Sequence, residues 1–479
     1  MTGLAEIGLA LCDEGSFEPA DGPTSSDPLS YPGYLDNLRS TSERAGSDEA
    51  VVTGAARIGG YEIEVALFNF AFMGGSMGEA TGERIALSME RAADRRVPFV
   101  LRTSTGGARM QEGMRSLVQM PKLLAARRSV AVANQPFIAI LGHPTTGGVL
   151  ASIAAAADIV VAEDGATIGF AGPRIVARAT GSAPPADSHT ARSAFDNGLV
   201  DMVVAPDGVR DYVARALKTL APHEPQKLDP PAEGGGGSAS DAAGAVATLR
   251  SSPPPRAPHL MVAMSDSSVQ LRGDRAGTQD PALVTSIERI AGRKTLVMAL
   301  DSKFAPGPAS YRKARRCLAI AERLQVPVVT VVDTAGADPS PGSEAGGIAW
   351  EISSLTQAML AVEVPTLSIV TGYGGSGGAL AFATTDVLLA YEGAIFSVIA
   401  VDLAAEILWR DTSRAPEAAR LLDPTARRLV ELGIADGILE EPVTAESLRR
   451  VVAYHLDRLL ERPAGTAARL ERWRNIGRA

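Results

Sequence analysis

The chain has 479 residues, 46% of them apolar and 21% charged, which is typical of a soluble globular protein and long enough for two or more domains. The net charge is -9 and aromatic residues make up only 5%, so neither a basic surface for nucleic acid or an anionic membrane nor a platform for stacking bases is indicated. Cys12 and Cys317 are the only cysteines, which excludes a disulfide framework and a cysteine zinc site. We therefore expect no nucleic acid, membrane or metal partner.

The beginning of the chain, MTGLAEIGLALCDEG, has no basic segment and carries acids early, unlike a signal peptide. The longest apolar stretches, such as ASIAAAADIVVA, are interrupted by acids before they reach membrane-spanning length. These features predict a cytoplasmic location.

Residues 222–258 are rich in Gly, Ser, Ala and Pro and lack periodic hydrophobic residues, so we expect a flexible linker there. The predicted domains are residues 1–221 and 259–479. In each, a buried β-branched strand, a glycine turn and a helix with small residues at its start follow one another and then repeat, which predicts an α/β domain. Amphipathic helices that face the core are predicted at 82–96 and 310–325, and a further one from 445 to 463.

The two halves repeat each other. VPFVLRTSTGGA in the first matches VPVVTVVDTAGA in the second, and the segments that begin QPFIAILGHPTTGGV and VPTLSIVTGYGGSGGA also match. Pro98 and Pro136 are 38 residues apart, as are Pro327 and Pro365. The chain is therefore interpreted as a diverged internal duplication.

Four glycine turns each precede a predicted helix: residues 105–108, 146–149, 334–337 and 374–379. A helix that starts after small residues presents unpaired N–H groups with the positive end of its dipole behind them. If the two turns of one half converge, each half offers backbone donors to an oxygen that gains negative charge, as in a thioester enolate. The simpler interpretation is that each glycine only permits a tight turn.

Several long motifs resemble the bacterial acetyl-CoA carboxylase carboxyltransferase. FMGGSMGEATGERI, TGGARMQEGMRSLVQM, HPTTGGVLAS and IGFAGPRI resemble its β half, and GDRAGTQDPALV, SYRKARR, VVDTAGA, GGSGGALA, FSVIA and AEILWRD resemble its α half. Together they cover roughly residues 30–205 and 272–442, in order, as in a fusion of both subunits.

The resemblance implies two crotonase-like α/β domains of repeated β-β-α units, with the active site where a β half faces an α half. It also implies transfer of CO2 from carboxybiotin to the α-carbon of an acyl-CoA such as acetyl-CoA, giving malonyl-CoA. The resemblance implies an oxyanion hole in each half. Its residues are Gly147 and Gly148 in the first half and Gly374, Gly375, Gly377 and Gly378 in the second, with opposing turns at Gly106, Gly107, Gly336 and Ala337. Arg109, Arg312 and Lys313 are candidate contacts for CoA phosphates by charge, although a solvated helix face explains the last two equally well.

The sequence departs from this family in places. The four-cysteine zinc ribbon of the β subunit is absent, Tyr373 replaces an acid, FSVIAVDL lacks a Pro-Glu-Gly, and His143 replaces an aspartate. No lysine lies between methionines as in biotin carrier domains, so a separate biotinylated carrier and a biotin carboxylase are the expected partners. The family implies a homo-oligomer, a dimer or larger.

Three other functions remain open. Gly374 to Gly378 and Gly74 to Gly78 both fit the G-x-S-x-G turn of serine hydrolases, but after Ser376 the sole histidine is His455, within a helical pattern. A biotin-independent decarboxylase of a malonyl thioester needs only one oxyanion hole. A non-catalytic paralogue within a carboxylase assembly needs none, which the retained glycines argue against.

Overall fold

The computed structural model describes residues 10–234, 241–440, 442–461 and 465–477. The chain divides into two compact units, Met1–Leu220 and Ala221–Ala479. Residues 1–9, where the N-terminal segment lacks a signal-peptide pattern, and residues 235–240 of the expected linker lie outside the described part. Within that part, no helix is long and apolar enough to cross a membrane.

The first unit is built on an eight-stranded sheet in the order β1-β2-β3-β4-β5-β6-β8, with β7 paired to β5. Its strands are β1 Glu18–Pro19, β2 Val51–Ile58, β3 Tyr61–Phe68, β4 Phe99–Thr105, β5 Phe137–Thr146, β6 Ile159–Glu163, β7 Ile168–Gly169 and β8 Met202–Val204. Its helices are α1 Tyr34–Ala45, α2 Glu79–Arg95, α3 Met114–Leu117, α4 Gln119–Val132, the short α5 Gly147–Val149, α6 Pro173–Thr180, α7 Ala191–Asp196 and α8 Val209–Leu220.

The core of this unit lies between the parallel strands and the helices that connect them. Strands β3 to β6 pair in parallel and are buried on both faces, as expected for strands with helical crossovers. Helix α2 buries Ile85, Met89 and Ala92, spaced by four and three residues, because that spacing places them on one helical face. Phe99 and Phe137 pack across neighbouring strands, with ring centroids 5.1 Å apart.

The second unit contains a nine-stranded sheet in the order β10-β11-β12-β13-β14-β15-β17-β9, with β16 paired to β14. Its strands are β9 Glu233–Gly234, β10 Ser267–Leu271, β11 Leu283–Ile290, β12 Arg293–Leu300, β13 Val328–Thr334, β14 Thr366–Gly375, β15 Val387–Tyr391, β16 Ile395–Ser397 and β17 Gly437–Leu439. Its helices are α9 Ala242–Ser251, α10 Ala257–Met264, α11 Pro308–Leu324, α12 Pro341–Ala345, α13 Ile348–Ala361, α14 Ser376–Ala383, α15 Val401–Trp409, α16 Ala415–Leu422, α17 Ala426–Glu431, α18 Ala445–Glu461 and α19 Thr466–Asn475.

The two units share one topology, which confirms the internal duplication. Strands β2 to β6 have the same lengths as β11 to β15, and helices α2 and α11 both have 17 residues. The pairing is also shared, since Thr105 of β4 opposes Thr145 and Thr334 of β13 opposes Gly374. Positions in the two halves can therefore be matched through their strand registers.

The segment expected to be a flexible linker is partly helical. Helix α9 begins after Asp241, whose carboxylate accepts a hydrogen bond from the Gly244 amide at 2.8 Å. Ala245 and Val246 of α9 are buried in a cluster with residues of α15 and α16. The predicted linker therefore contains a packed helix at Ala242–Ser251, because an N-cap followed by alanines favours a helix and supplies a small apolar face.

Helix α19 is attached to the second unit by a buried ion pair. The side chain of Arg469 has no exposed surface, and its guanidinium lies 2.8 Å from Asp386, which also accepts from the Thr366 amide at 2.7 Å. Arg469 further donates to the carbonyl oxygens of Met359 and Val362.

We predict that Arg469→Ala lowers the free energy of unfolding of the second unit by about 3 kcal/mol or more, because it leaves Asp386 buried without its cation. Arg474→Ala, at an exposed position on the same helix, is the matched control and should change it by less than about 0.5 kcal/mol. Urea denaturation measures both, and equal effects would contradict the assignment of the ion pair.

Candidate active site

In the first half, the turns after β4 and β5 are in contact with each other. A Cβ added to Gly147 would lie 2.9 Å from the Gly107 Cα, closer than real Cβ atoms approach. Both residues also have positive φ, 112° at Gly107 and 68° at Gly147, a region that favours glycine. Glycine is therefore required at both positions for the two backbones to meet.

The turns after β13 and β14 meet in the same way in the second half. A Cβ on Gly378 would lie 2.7 Å from the Ala337 amide nitrogen, and one on Gly375 would lie 2.6 Å from the Gly336 nitrogen. Gly336 has a φ of 129°. The structure thus brings together the predicted pairs of turns within each half.

A short segment beside each first turn fixes the direction of one amide. In the first half, residues 74–77 form a strap: the Met77 amide donates to the Gly107 carbonyl at 2.8 Å, and the Arg109 amide donates to the Met77 carbonyl at 2.9 Å. Because alternate residues of a paired segment direct their polar groups to opposite sides, the N–H of Ala108 is directed away from the strap.

The second half has the equivalent bond, from the Asp338 amide to the Pro306 carbonyl at 3.0 Å. The N–H of Ala337 is therefore also free to face the opposing turn. There, the amides of Gly148 and Gly377 lie in the first turn of a helix, where N–H groups have no acceptor within the helix. A Cβ on Gly377 would meet no atom within 4 Å, so the space beside this residue is open.

Ser376 occupies the position that Gly147 occupies in the first half. Each lies 11 residues after its reference proline, Pro365 or Pro136. Ser376 is exposed and has a φ of 58°, close to the 68° of Gly147. Among the described residues, no hydrogen bond joins a histidine to the Ser376 hydroxyl, and His455 is buried in α18.

The structure buries two of the three residues predicted to contact phosphate. Arg109 has no exposed surface and forms an ion pair with Glu49 at 2.6 Å. Lys313 is buried and donates to the Leu283 carbonyl at 2.7 Å, and burial lowers the pKa of its ammonium to about 8. Both were assigned from charge alone, which does not reveal whether a helix residue faces solvent or the core.

Arg312 is partly exposed, but its charge is already balanced. Its guanidinium lies 2.8 Å from Asp274 and 3.5 Å from Glu351. Its assignment to a CoA phosphate stays a prediction.

The departures from the family pattern lie beside the glycine turns. His143 is exposed, and its Nδ1 accepts from the Thr167 amide at 3.2 Å. The Tyr373 amide donates to Asp333 at 2.9 Å, and its side chain packs against the cluster of α9, α15 and α16. Across the described ranges, no group of three or more His, Cys, Asp or Glu side chains is arranged to hold a metal ion.

Sequence reasoning missed the strap and the partners of Arg109. The equivalence of Ser376 and Gly147 could have been found by counting onward from the matched prolines. The roles of Glu49 and Glu112 have no such signal, because they depend on contacts between distant segments.

The fold and the paired turns agree with comparisons to known proteins. A family model described as acetyl co-enzyme A carboxylase carboxyltransferase-like matches residues 242–474. The chain is 38% identical to the acetyl-coenzyme A carboxylase carboxyl transferase subunits beta/alpha of Salinispora tropica, covering 97% of this chain and 88% of that protein. It is 34% identical to a probable biotin-dependent acyl-coenzyme A carboxylase beta3 subunit of Mycobacterium tuberculosis, covering 98% and 97%.

Among solved structures, the transcarboxylase 12S hexamer matches with a TM-score of 0.75 and 22% identity over 96% of this chain and 90% of that one. A single-chain, multi-domain long-chain acyl-CoA carboxylase matches with a TM-score of 0.72 and 19% identity, over 95% of this chain and 46% of that one. The fold is thus the duplicated crotonase-like fold of carboxyltransferases. The chain belongs to the acetyl-CoA carboxylase carboxyltransferase family and is the carboxyltransferase of a biotin-dependent acyl-CoA carboxylase.

We predict that Ser376→Gly and Ser376→Ala both change turnover by about twofold or less, because Gly147 shows that the position needs no side chain. The reverse exchange, Gly147→Ser, should lower turnover by about a hundredfold, since its Cβ would lie 2.9 Å from the Gly107 Cα. Steady-state kinetics test this, with circular dichroism to confirm folding. A folded but inactive Ser376→Ala protein, together with fluorophosphonate labelling of Ser376 in the parent, would support a nucleophilic serine instead.

We also predict that Gly378→Val lowers turnover by about a hundredfold to a thousandfold, because the new side chain displaces the Ala337 amide. Gly393→Val, at a glycine where a Cβ meets open space, is the matched control and should remain active. Retained activity in folded Gly378→Val would show that the Ala337 amide does not take part.

Proposed function

We propose that this chain moves CO2 from carboxybiotin to the α-carbon of acetyl-CoA, or a similar short acyl-CoA, to give malonyl-CoA. The observation that carries the proposal is the pair of converging glycine turns in each half. Ala108 and Gly148 supply amides in the first half, and Ala337 and Gly377 supply them in the second. Each pair forms an oxyanion hole.

The chemistry requires two such sites because negative charge develops on two oxygens. Carboxybiotin supplies the CO2 and, afterwards, the ring nitrogen that takes the α-proton of the thioester. The thioester oxygen becomes an enolate oxygen while the ureido oxygen also gains charge. Two preorganised amides at each oxygen stabilise these charges without a proton transfer from a side chain.

The choice of acetyl-CoA rests on the named relatives. The Salinispora protein is named for acetyl-CoA, whereas the mycobacterial one is named only for acyl-CoA. The higher identity is with the first, 38% against 34%, which favours acetyl-CoA as the substrate.

The biotin arrives on a separate carrier protein, charged by a biotin carboxylase. No lysine of this sequence lies between methionines, the pattern of a carrier domain. The reaction then takes place in the cytoplasm, where acyl-CoA substrates and these partners are available, and serves fatty acid or polyketide biosynthesis.

The chain functions as a homo-oligomer. Each half exposes apolar residues at matching positions beside its second glycine turn: Phe170 is 72% exposed and Val398 is 70% exposed, each directly after the short strand β7 or β16. Ile175 and Leu403 match in the same way on helices α6 and α15, at 61% and 56%. Such paired patches are suited to burial against a second copy of the chain.

The direct test is the reverse reaction, with malonyl-CoA as carboxyl donor and biocytin as acceptor. We expect acetyl-CoA to form only when biocytin is present. The Gly378→Val protein, purified in the same way, should be inactive. Equal formation of acetyl-CoA without biocytin would favour the decarboxylase. A higher kcat/KM for methylmalonyl-CoA than for malonyl-CoA would contradict acetyl-CoA as the preferred substrate.

A further inference from the structure

Arg109 directly follows the first glycine turn, and its buried guanidinium reaches the strap beside that turn. Nη2 donates to Glu49 Oε1 at 2.6 Å and to the Ser76 carbonyl at 2.8 Å. Nε donates to the Ser76 hydroxyl at 3.2 Å, and Nη1 donates to Glu112 Oε1 at 3.2 Å. Further hydroxyl acceptors complete the network: Ser25, Tyr34 and Thr81.

The charges of the neighbouring carboxylates oppose any displacement of the Arg109 guanidinium. Glu49 and Glu112 are both buried, and each needs the arginine as its cation. Although burial opposes ionisation, the charge and hydrogen bond of Arg109 lower the pKa of Glu49 below its ordinary value. The guanidinium is therefore held in one place by two carboxylates.

Arg109 is bonded to the strap through both its side chain and its backbone. Its side chain donates to Ser76, and its backbone amide donates to Met77. Since Ala108 is the preceding residue, these bonds also fix the orientation of the Ala108 peptide. The buried guanidinium thus holds Ser76 of the strap, and the neighbouring Met77 bonds to Gly107 and Arg109 on either side of Ala108.

Among the residues that the structure describes, no such clamp is found in the second half. The equivalent residue is Asp338, four residues after Thr334 as Arg109 is four after Thr105. Its carboxylate accepts local hydrogen bonds from the hydroxyl groups of Ser340, at 2.7 Å, and Ser343. The two halves therefore differ in how the first turn is held, although their backbones match.

We propose that Arg109 is a positioning residue that holds the Ala108 amide in the geometry needed for charge stabilisation. This inference rests on the proposed oxyanion hole of the first half. The side chain of Arg109 has no exposed surface, so its contribution to turnover comes through the adjacent peptide. Because misplacement of a donor by about 1 Å costs roughly a hundredfold in rate, a small loosening of the turn is sufficient to slow the reaction.

The test compares Arg109→Lys with Tyr34→Phe. Lysine keeps the positive charge beside Glu49 but loses the planar guanidinium, whose several N–H groups also reach Ser76. Tyr34→Phe removes a hydroxyl that donates to Glu112 at 2.6 Å, in the same network but away from the strap. We expect Arg109→Lys to lower kcat by about tenfold to a hundredfold with KM for acyl-CoA changed by less than about threefold, and Tyr34→Phe to leave kcat unchanged.

Amide hydrogen exchange gives a second measurement that does not depend on activity. Arg109→Lys should speed exchange by about tenfold in peptides covering residues 105–112 but not in peptides covering 334–340. Unchanged exchange at residues 105–112 would overturn the proposed role of Arg109. This outcome can be read even if the parent protein is inactive and the proposed function fails. Equal losses of kcat in both variants, or a lower melting temperature with unchanged kcat, would also overturn it.

Discussion

The close approach of two backbone turns is the constraint on which the rest of each half depends. Gly107 meets Gly147 in the first half, and Ala337 meets Gly378 in the second, at separations that leave no room for a Cβ on Gly147 or Gly378. Neighbouring parallel strands end beside each other, which places the two turns at one edge of the sheet. Helix starts and straps then orient the amides, so the proposed site is made of backbone and needs no reactive side chain.

The duplication allows each half to serve as a reference for the other. The two halves share the strand register and the 17-residue helix. They also share a hydrogen bond from the backbone amide of the residue after the first turn to a carbonyl of the neighbouring segment. What differs is the residue that follows the turn, a buried Arg109 in one half and a partly buried Asp338 in the other. Similar backbone geometry is thus maintained by different side-chain interactions.

Much of the fold was predictable because its signals are local. Matched prolines, β-branched strands and glycine turns predicted two α/β halves, and the resemblance of the motifs predicted the family. Burial was not predictable, since the sequence shows Arg109 and Lys313 only as charged residues, and both are buried through contacts with distant segments. Helix α9 was missed because its alanines were counted as linker composition and not as a helix after Asp241.

The most direct measurement is a structure of the protein with a stable, non-reactive acetyl-CoA analogue bound. The account predicts that the carbonyl oxygen lies 2.7 to 3.1 Å, about the range of oxyanion-hole bonds, from two backbone amides. These amides would be Ala108 and Gly148, or Ala337 and Gly377. A carbonyl oxygen bound by side chains, or a covalent bond to the Ser376 hydroxyl, would contradict the account.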